Sequence, residues 1–529
     1  MAKIRGKKIV LTSSEVEMSD FNDNPFIAFS ASFSHRIPIW SWKSFYYPTT
    51  TVNEDYTAIL APYGLRKIEA ALVKHGFNPN DIIVTIPAHL DKFVGPETKV
   101  IGISSMDPLG LAYVSFTYSS LAFGSMSSTQ YYFLKIFKSK CFKKYKPKVI
   151  LGGPGAWQVG KKAMKRLGID CIVIGEGDLI APKLFEKAIK GEQLPPIVQV
   201  RKSPKIEDIP LIRNSAIHGS VEISRGCGRN CQFCTPTMRK KRDFPVDRVK
   251  KEVEVNVRNG TGLITLSTED LFLYGCKMDG KFIPNSLAVY NLIKGITSVP
   301  GVKGVQPAHI SLAPAVQDPE MVTEVSHIMQ DFCHFHYGGK GIITAETGIE
   351  TASPRLIEKY MRGKPLPFTP KEWPEVVTQG IGILNDNNWN LVATLITGLP
   401  GETDEDCIKS IELVDEMFNY KVFLVPLLFA NLHECMLRKE RRPNFDELSD
   451  IQMEFFTRCW EYNFHIMKNE WLKNKSLEYL TRFVFGFFYL FRYRWGNSNL
   501  DKFRKRIISD VALLRDIPSF MRSIKIKPS

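Results

Sequence analysis

The 529-residue sequence contains no apolar run long enough to cross a bilayer. Its most apolar stretch, residues 483–491, lies between Arg482 and Arg492 and is about half of the ~20 residues that a spanning helix needs. The basic N-terminus reaches only residues 9–11 before polar residues resume, which is too short for the core of a secretion signal. These absences predict a cytoplasmic chain without membrane contact.

The cysteine and charge content further restricts the functions that the protein can have. In a chain without a secretion signal, clustered thiols among the ten cysteines indicate metal binding or catalysis rather than disulfides. The formal net charge of +15 favours an acidic partner, an anionic cofactor or nucleic acid. Basic runs at 135–148 and 239–251 are interpreted as solvated helix faces or as a docking surface.

Short apolar runs alternate with helical patterns along most of the chain. In the first part, buried strands are predicted at 9–11, 82–84, 100–103, 149–151 and 171–174. Strands separated by helices imply a parallel, doubly wound sheet that binds ligands beyond the carboxyl ends of its strands. A second series has predicted strands at 221–224, 263–266, 309–312, 342–345, 391–396 and 422–428. Six such units predict a partial barrel rather than the full eight.

The sequence therefore predicts an α/β chain in three parts. These are a Rossmann-like doubly wound domain over 1–205, a partial (β/α)6 TIM-type barrel over 206–435 and a helical region over 436–529. The aromatic run at 483–491 predicts a helix packed on the barrel, or a protein interface if its rings are exposed.

Three cysteines, Cys227, Cys231 and Cys234, follow the first predicted barrel strand with C-x3-C-x2-C spacing. One loop of this length can aim three sulfurs at one centre while the fourth metal position has no nearby protein ligand. Structural zinc takes four protein ligands, and no second cysteine pair is present. Three thiolates with one open iron fit a [4Fe–4S] cluster. A zinc knuckle and free buried cysteines are the alternatives.

With Phe233 before the third cysteine, the motif resembles the signature of the radical S-adenosylmethionine (SAM) enzymes over about residues 215–435. In that family the open iron chelates SAM, whose one-electron cleavage gives a 5′-deoxyadenosyl radical. The family's usual Gly-Gly-Glu sequence is absent at 267–270, so the roles of Glu269 and Asp270 stay open. On the alternative interpretation, Glu346 and Glu350 are helix caps. The resemblance implies SAM-binding residues Phe233, Glu269, Asp270, Glu346, Glu350, Gly398 and Pro400.

Glycines also follow three strands of the first domain, where they let a backbone approach a large ligand. A doubly wound domain ahead of such a barrel resembles the cobalamin (B12)-binding subclass. Asp107 stands where methylmalonyl mutase-type domains supply a histidine to cobalt, which implies cobalamin without a histidine beneath it and with Met106 and Asp107 on its lower face. A turn-capping Asp107 is the alternative. The implied cobalamin-binding residues are Ser104, Ser105, Met106, Asp107, Gly110, Gly152, Gly153, Pro154, Gly155, Glu176 and Gly177.

The resemblance implies a B12-dependent radical SAM methyltransferase that uses an external electron donor and acts on an unactivated sp3 carbon. Segments 11–26, 103–110, 268–275 and 360–364 further resemble archaeal enzymes of this subclass, the glutamine C-methyltransferases that modify methyl-coenzyme M reductase. The implied partner is a protein or peptide substrate, and Tyr274 is the candidate residue that faces it.

Other functions stay open at this point. One is methylation of another peptide, a lipid or a small molecule. Another is methylthiolation of tRNA, which usually brings a second cysteine cluster and a nucleic-acid module; because neither is visible in the sequence, nucleic acid is not the expected partner. A non-catalytic cobalamin sensor would need no three-cysteine cluster.

Overall fold

A computed structural model describes residues 5–35, 47–48, 50–121, 126–337, 340–469 and 501. Its first sheet has six parallel strands in the order β2-β1-β3-β4-β5-β6. The strands are β1 (Ile9–Thr12), β2 (Ile82–Val84), β3 (Val100–Ser104), β4 (Lys148–Gly152), β5 (Cys171–Ile174) and β6 (Ile197–Gln199).

Helices cover both faces of this sheet. On one face, Leu72 and Phe185 pack into a core with Ile9 and Val100, and on the other face Phe133 packs with Val10. The sheet is therefore doubly wound, as predicted. The helices are α1 (Tyr63–Lys74), α2 (Leu90–Phe93), α3 (Tyr113–Leu121), α4 (Ser128–Ile136), α5 (Lys140–Tyr145), α6 (Lys161–Leu167) and α7 (Ala181–Ile189).

The five strands predicted in this region are confirmed, and the sixth was missed. Strand β6 lies at the edge of the sheet, where Ile197 and Gln199 are exposed. Because only Val198 of this strand packs, partly buried, against the core, its sequence lacks the apolar run that marks the other five.

The second set of strands forms the partial barrel. It consists of a three-stranded sheet, β11-β10-β7, and a four-stranded sheet, β12-β13-β14-β15. A parallel bridge between His309 and Glu346 joins the two sheets, so six parallel strands follow one another around the barrel. The strands are β7 (Val221–Glu222), β8 (Ser224–Arg225), β9 (Arg242–Asp243), β10 (Leu263–Ser267), β11 (Gly304–Pro307), β12 (Phe335–Tyr337), β13 (Lys340–Glu350), β14 (Trp389–Thr397) and β15 (Val422–Leu428).

The predicted third barrel strand, at 309–312, was wrong. The strand is β11, which ends at Pro307, and Leu312 already begins a helix. Sequence periodicity favoured 309–312 because Ile310 and Leu312 are both apolar. Both are buried, but Ile310 lies in the turn that follows the strand and Leu312 is the first residue of the next helix.

Most of the remaining helices flank the barrel strands. They are α8 (Val246–Arg258), α9 (Ser286–Thr297), α10 (Leu312–Gln317), α11 (Pro319–Gln330), α12 (Pro354–Tyr360), α13 (Trp373–Asp386), α14 (Asp404–Glu416) and α15 (Asp450–Asn469). In the described part of the chain, no helix has the length and apolarity to span a membrane. The predicted helix at 483–491 lies outside the described residues, and the three domain boundaries stay predictions.

A buried ion pair joins the first sheet's helices to the barrel. Lys67 on α1 lies 2.5 Å from Glu252 on α8, and their side chains are 5% and 4% exposed. Tyr63 donates a hydrogen bond to the other oxygen of Glu252 at 2.6 Å, and the Ile212 backbone donates at 3.0 Å. Every oxygen of this buried carboxylate therefore has a partner.

Removing the cation of this pair is expected to destabilise the protein. Lys67→Met leaves the Glu252 carboxylate buried without its counter-charge, which costs about 3 kcal/mol of unfolding free energy. Urea unfolding measures the loss. Lys190→Met is the control, because Lys190 and Glu186 form an exposed pair with side chains 58% exposed that contributes little. Equal unfolding midpoints for the two variants would contradict the prediction.

Candidate active site

The carboxyl ends of the first sheet and of the barrel strands line one cavity of about 310 Å³. From the first sheet come residues that follow β3, β4 and β5, including Gly152 and Glu176. From the barrel come Ser224, Ser267 and Glu269. A ligand in this cavity is therefore held between the two halves of the chain.

Apolar groups form the inner end of the cavity. Gly102 on β3 is closely framed there, since a Cβ atom on it would lie 2.6 Å from Leu11 Cδ2 and 2.7 Å from Phe185 Cζ. Gly152, in contrast, faces open space, with no atom within 4 Å of the position of a Cβ. An apolar slot with glycine at its edge suits a flat aromatic group.

Two other glycines that were predicted to bind cobalamin, Gly153 and Gly155, make room for a neighbouring loop. A Cβ on Gly153 would lie 2.5 Å from the carbonyl oxygen of Ser105, and one on Gly155 would lie 2.2 Å from that of Met106. These two glycines let the loop after β4 pack against the loop after β3. Of the predicted cobalamin residues, Ser104, Gly152, Gly153, Pro154, Glu176 and Gly177 line the cavity, and Ser105, Met106, Asp107, Gly110 and Gly155 do not.

A buried glutamate that the sequence analysis missed organises the loop after β3. Glu17 accepts hydrogen bonds from the Ser105 hydroxyl at 2.9 Å and the Met106 backbone at 2.8 Å, and its other oxygen accepts one from Ser13. Burial raises the pKa of Glu17, and these hydrogen bonds act in the opposite direction. The sequence signal that could have identified Glu17 was a carboxylate six residues after the predicted strand 9–11.

Asp107, predicted to lie beneath a cofactor, is engaged within its own turn, and its place beneath a cofactor stays a prediction. Its Oδ1 accepts from the backbones of Leu111 and Ala112 at 2.9 and 3.0 Å and from Gln158 Nε2 at 2.6 Å. Asp107 therefore caps the turn, which was the alternative interpretation. Met106 at the same turn is 67% exposed. Among the described residues, no histidine lines the cavity.

Glu176 joins the two halves of the site. It accepts from Arg225 and Arg242, each at 2.7 Å, and Arg225 also pairs with Asp178 at 2.9 Å. Arg225 lies two residues before Cys227, so the first sheet holds the start of the cysteine loop directly. The Glu176 carboxylate is thereby committed to arginines rather than to a ligand.

The cysteine loop follows β8 and turns through backbone conformations that favour glycine. Gly226 and Gly228 both have a φ of +83°, and a Cβ on Gly226 would lie 2.7 Å from the Arg239 carbonyl oxygen. Burial raises the pKa of the Cys231 thiol to about 11 and also raises those of Cys227 and Cys234. The loop thus holds three desolvated thiols that need a metal to ionise.

The three thiols lie near one another on a single loop. Cys227 and Cys231 are close enough to Cys234 to influence its pKa. In the described part of the chain, no three His, Cys, Asp or Glu side chains converge on a single-ion site. Three neighbouring thiols on one loop are the protein ligands that a [4Fe–4S] cluster with one open iron needs, so the residues present fit such a cluster.

The structure separates the roles of Glu269 and Asp270. Asp270 is 3% exposed, lies 3.2 Å from Arg229 and accepts from the Phe272 and Ser311 backbones. It therefore holds the cysteine loop, and its role as a SAM ligand stays a prediction. Glu269 lines the cavity, makes no hydrogen bond or ion pair with any described residue, and has a pKa raised by burial.

A second residue missed from the sequence, His309, pairs with Glu346. Its Nε2 lies 3.2 Å from Glu346 Oε2 and its Nδ1 lies 3.0 Å from the Thr268 carbonyl oxygen. Both neighbours accept only, so both ring nitrogens carry protons. Burial lowers the pKa of His309, but Glu346 and Glu269 outweigh it and raise the pKa to about 9. His309 is therefore a cation at neutral pH.

The other predicted SAM residues are engaged as follows. Glu350 has a φ of +69° and lies 3.3 Å from Lys364 Nζ and 3.2 Å from Thr394 Oγ1. Gly398 has a φ of +78°, and the Pro400 carbonyl oxygen accepts from Tyr360. Phe233 is buried in the core beside the cysteine loop.

Tyr274, the candidate residue that faces the substrate, is engaged in the core, and its role stays a prediction. Its side chain is in the core, and its hydroxyl donates to the Phe244 carbonyl oxygen at 2.6 Å. Burial raises the pKa of Tyr274 to about 12. This hydroxyl holds two loops together and does not face the cavity.

Comparison with known proteins agrees with this geometry. The family model of the radical SAM superfamily matches residues 221–414, which contain the cysteine loop and most of the barrel. Residues 221–414 are a radical SAM domain. Two solved structures of the radical S-adenosylmethionine methyltransferase TsrM from Kitasatospora setae share the fold, with TM-scores of 0.53 and 0.52 and identities of 14% and 13%. They cover 80% and 82% of this chain and 74% and 77% of theirs.

Curated relatives of this chain are named for another reaction. The tRNA-2-methylthio-N(6)-dimethylallyladenosine synthases of Natranaerobius thermophilus and Moorella thermoacetica are 25% and 26% identical over 239 and 253 residues. These alignments take in 45% and 46% of this chain, which spans about half the length of those relatives (48% and 50%).

The radical SAM domain is expected to lose its iron when its thiols are removed. Wild-type protein reconstituted anaerobically should hold about four irons, and changing Cys227, Cys231 and Cys234 together to alanine should abolish both this iron and 5′-deoxyadenosine formation. Iron analysis and chromatography measure the two quantities. Cys276→Ala is the control, since this buried thiol lies outside the loop. Undiminished 5′-deoxyadenosine from the triple variant would refute the assignment.

The titration of His309 tests its pairing with Glu346. Glu346→Gln removes the carboxylate that stabilises the imidazolium, so the pKa of His309 should fall from about 9 toward the ordinary value near 6.5. NMR of ¹³C-labelled histidine measures it, with His309→Gln assigning the signal. Glu358→Gln, which removes an exposed partner of Arg362, should leave it unchanged. An unaltered titration in Glu346→Gln would show that the pair is not formed.

Proposed function

We propose that this chain is a cobalamin-dependent radical SAM C-methyltransferase that methylates an unactivated sp3 carbon of a protein glutamine in methyl-coenzyme M reductase. The single observation that carries the proposal is the shared cavity. Glycine-edged loops of a doubly wound sheet and the polar strand ends beside a three-cysteine loop line the same space. A methyl donor and a radical source could therefore lie next to each other.

The residues around the cavity divide between the cofactors of such an enzyme. Cys227, Cys231 and Cys234 would hold the cluster, and Glu269 would meet the ammonium group of SAM. The slot beside Gly102 and Gly152 would take the aromatic tail of cobalamin. When bound, the cluster and SAM supply a 5′-deoxyadenosyl radical and cobalamin supplies the methyl group. The chain itself orients these groups and excludes water.

Contacts of three of the four segments that carry the glutamine methyltransferase resemblance support the substrate assignment. Segment 11–26 holds segment 103–110 through Glu17. Segment 360–364 holds the cysteine loop, because Arg229 donates to the Gly363 and Lys364 carbonyl oxygens at 3.0 and 2.7 Å. Segments 11–26 and 103–110 are therefore in contact, and segment 360–364 lies against the cysteine loop.

The tRNA methylthiolation named by the curated relatives is less well supported. The alignments take in less than half of this chain and only about half of each relative. The seven cysteines outside the loop are buried and lie in separate elements or loops, namely Cys141, Cys171, Cys276, Cys333, Cys407, Cys435 and Cys459. A second cluster would require several of these thiols to converge in space.

Anaerobic turnover tests the proposal. Reconstituted enzyme with SAM, cobalamin, a reductant and a glutamine-containing peptide of methyl-coenzyme M reductase should add about 14 Da to the glutamine, with 5′-deoxyadenosine and S-adenosylhomocysteine formed together. Mass spectrometry of the peptide and chromatography of the nucleosides measure the products.

Two results would reject parts of the proposal. Methylation without 5′-deoxyadenosine would reject the radical mechanism. Methylation of RNA or of a small molecule, but of no peptide, would reject the protein substrate.

A further inference from the structure

The loop over residues 276–283, which follows β10, covers the outer side of the cysteine loop. The methyl group of Met278 fills the space that a side chain on Gly228 would need. The guanidinium of Arg229 lies 5.0 Å from the centre of the Phe282 ring. Of the described residues 276–283, none lines the cofactor cavity. This covering loop therefore lies between the cysteine loop and solvent on a side other than that of the cavity.

Large apolar side chains are exposed on and beside the covering loop. Nine such side chains are exposed in the described part of the chain, and three of them, Met278, Ile283 and Leu287, fall within 278–287. Phe282 is buried next to Ile283, so the loop that presents the exposed groups is itself anchored in the fold. Exposed apolar groups gathered in one place mark a contact surface for another molecule.

Three lysines surround these apolar groups. Lys277 and Lys281 are exposed on the covering loop, and Lys240 is exposed beside the cysteine loop, where its carbonyl oxygen would lie 2.7 Å from a Cβ atom on Gly226. None of the three lysines forms an ion pair with a described residue. The one carboxylate of the covering loop, Asp279, accepts a hydrogen bond from the Lys281 backbone at 3.0 Å. The surface therefore carries a net positive charge.

The first four residues of the basic run at 239–251 divide between the fold and this surface. Three of them form ion pairs within the described chain, namely Arg239 with Glu434, Lys241 with Asp243 and Arg242 with Glu176. Lys240 is the fourth, and its charge is available to a partner. The basic run thus contributes one lysine to the surface, and the covering loop contributes the other two.

We propose that a small acidic iron–sulfur protein docks on this surface and delivers the electron that the cluster needs. The docking surface comprises Lys240, Lys277, Met278, Lys281 and Ile283. One electron passes from the docked protein, which is oxidised, to the cluster of the cysteine loop, which is reduced, and no bond forms or breaks. The inference rests on the iron–sulfur cluster of the proposed function and not on its substrate.

Position, charge and size favour this partner. A protein seated on Met278 is separated from Gly228 of the cysteine loop by one side chain, and a short separation matters because the rate of electron transfer falls steeply with distance. Lysines without counter-charges attract an acidic surface and speed its association. Electron-transfer complexes bury little area, so a few exposed apolar groups are sufficient, whereas a permanent subunit would need a larger apolar surface.

Binding is the first test, on the full chain with its cluster and SAM present. Titration calorimetry with a bacterial-type ferredoxin that holds two [4Fe–4S] clusters should show saturable binding that weakens as salt is added. Lys277→Glu combined with Lys281→Glu should weaken this binding about tenfold, because carboxylates would then meet the acidic surface of the partner.

A matched control makes the same change in net charge elsewhere. Lys161→Glu combined with Lys162→Glu replaces two exposed lysines of α6 and should bind ferredoxin as the wild type does. Equal affinity in the two double variants, or no binding by the wild type, would overturn the proposal. Melting curves and iron content verify that each variant is folded and loaded.

A further variant tests the apolar part of the surface. Ile283→Ser should weaken ferredoxin binding about fivefold and leave its salt dependence unchanged, because no charge is altered. Ile408→Ser, which removes an exposed isoleucine of α14, should have no effect. Unaltered affinity in Ile283→Ser would place the apolar groups outside the contact and contradict the proposed surface.

Stopped-flow reduction of the cluster separates docking from damage to the site. With reduced ferredoxin at low salt, the cluster of the Lys277/Lys281 double variant should be reduced about tenfold more slowly than that of the wild type. With dithionite, a small reductant that needs no docking surface, the two rates should be equal. Slow reduction of the variant by both reductants would overturn the proposal, since the lysines would then act on the cluster rather than on a partner.

The design also separates this inference from the proposed function. Ferredoxin binding and cluster reduction without methylation of any peptide would refute the proposed reaction and leave the docking surface intact. Ferredoxin-driven methylation that is indifferent to the charge reversal would do the reverse. Slower methylation by the double variant with dithionite as reductant would assign the surface to the substrate and overturn the electron-donor assignment.

Discussion

The arrangement of the site depends on one interaction, the contact of Arg225 with the first sheet. This arginine lies two residues before the first cysteine of the loop and pairs with Glu176 and Asp178 after β5. Its side chain is 14% exposed and those of its two partners are 5% and 6% exposed, so the contact is largely shielded from solvent. Charge-assisted hydrogen bonds of this kind fix orientation as well as distance. The position of the cysteine loop relative to the strand ends of the first sheet follows from them.

The glycines at those strand ends have two distinct physical roles. Gly153 and Gly155 are needed because another loop's backbone lies where their side chains would be, whereas Gly152 faces open space. The sequence presents all three in one short run and cannot distinguish a glycine that admits a ligand from one that admits a neighbouring loop. The same limit applies to Asp107, which satisfies backbone donors of its own turn.

Features set by local patterns were predictable, and features set by long-range contacts were not. Each of the buried parallel strands β1 to β5, and the cysteine loop, is encoded by a short contiguous run of residues. Periodicity and spacing were therefore sufficient to predict them. His309 and Glu346 are 37 residues apart, and only the isolated backbone bridge between them brings them together. Glu17 and Ser105 likewise meet through the folded sheet. The contact of Tyr274 was not predictable, because nothing local shows that Phe244 lies within reach of its hydroxyl.

The cavity beside the cysteine loop and an aromatic cavity in the barrel, lined by Phe26, Thr344 and Trp460 among others, differ in the charge that each can accept. Beside the cysteine loop, Glu269 is a carboxylate without a partner in the described chain, its pKa is raised by burial, and the three thiols are desolvated as well. Groups of this kind are stabilised by cations, namely iron and an ammonium group. Glu346 is already neutralised by His309, so it does not compete with Glu269 for a cation. None of the described residues that line the aromatic cavity carries a charge, so that cavity offers no counter-charge to a charged ligand.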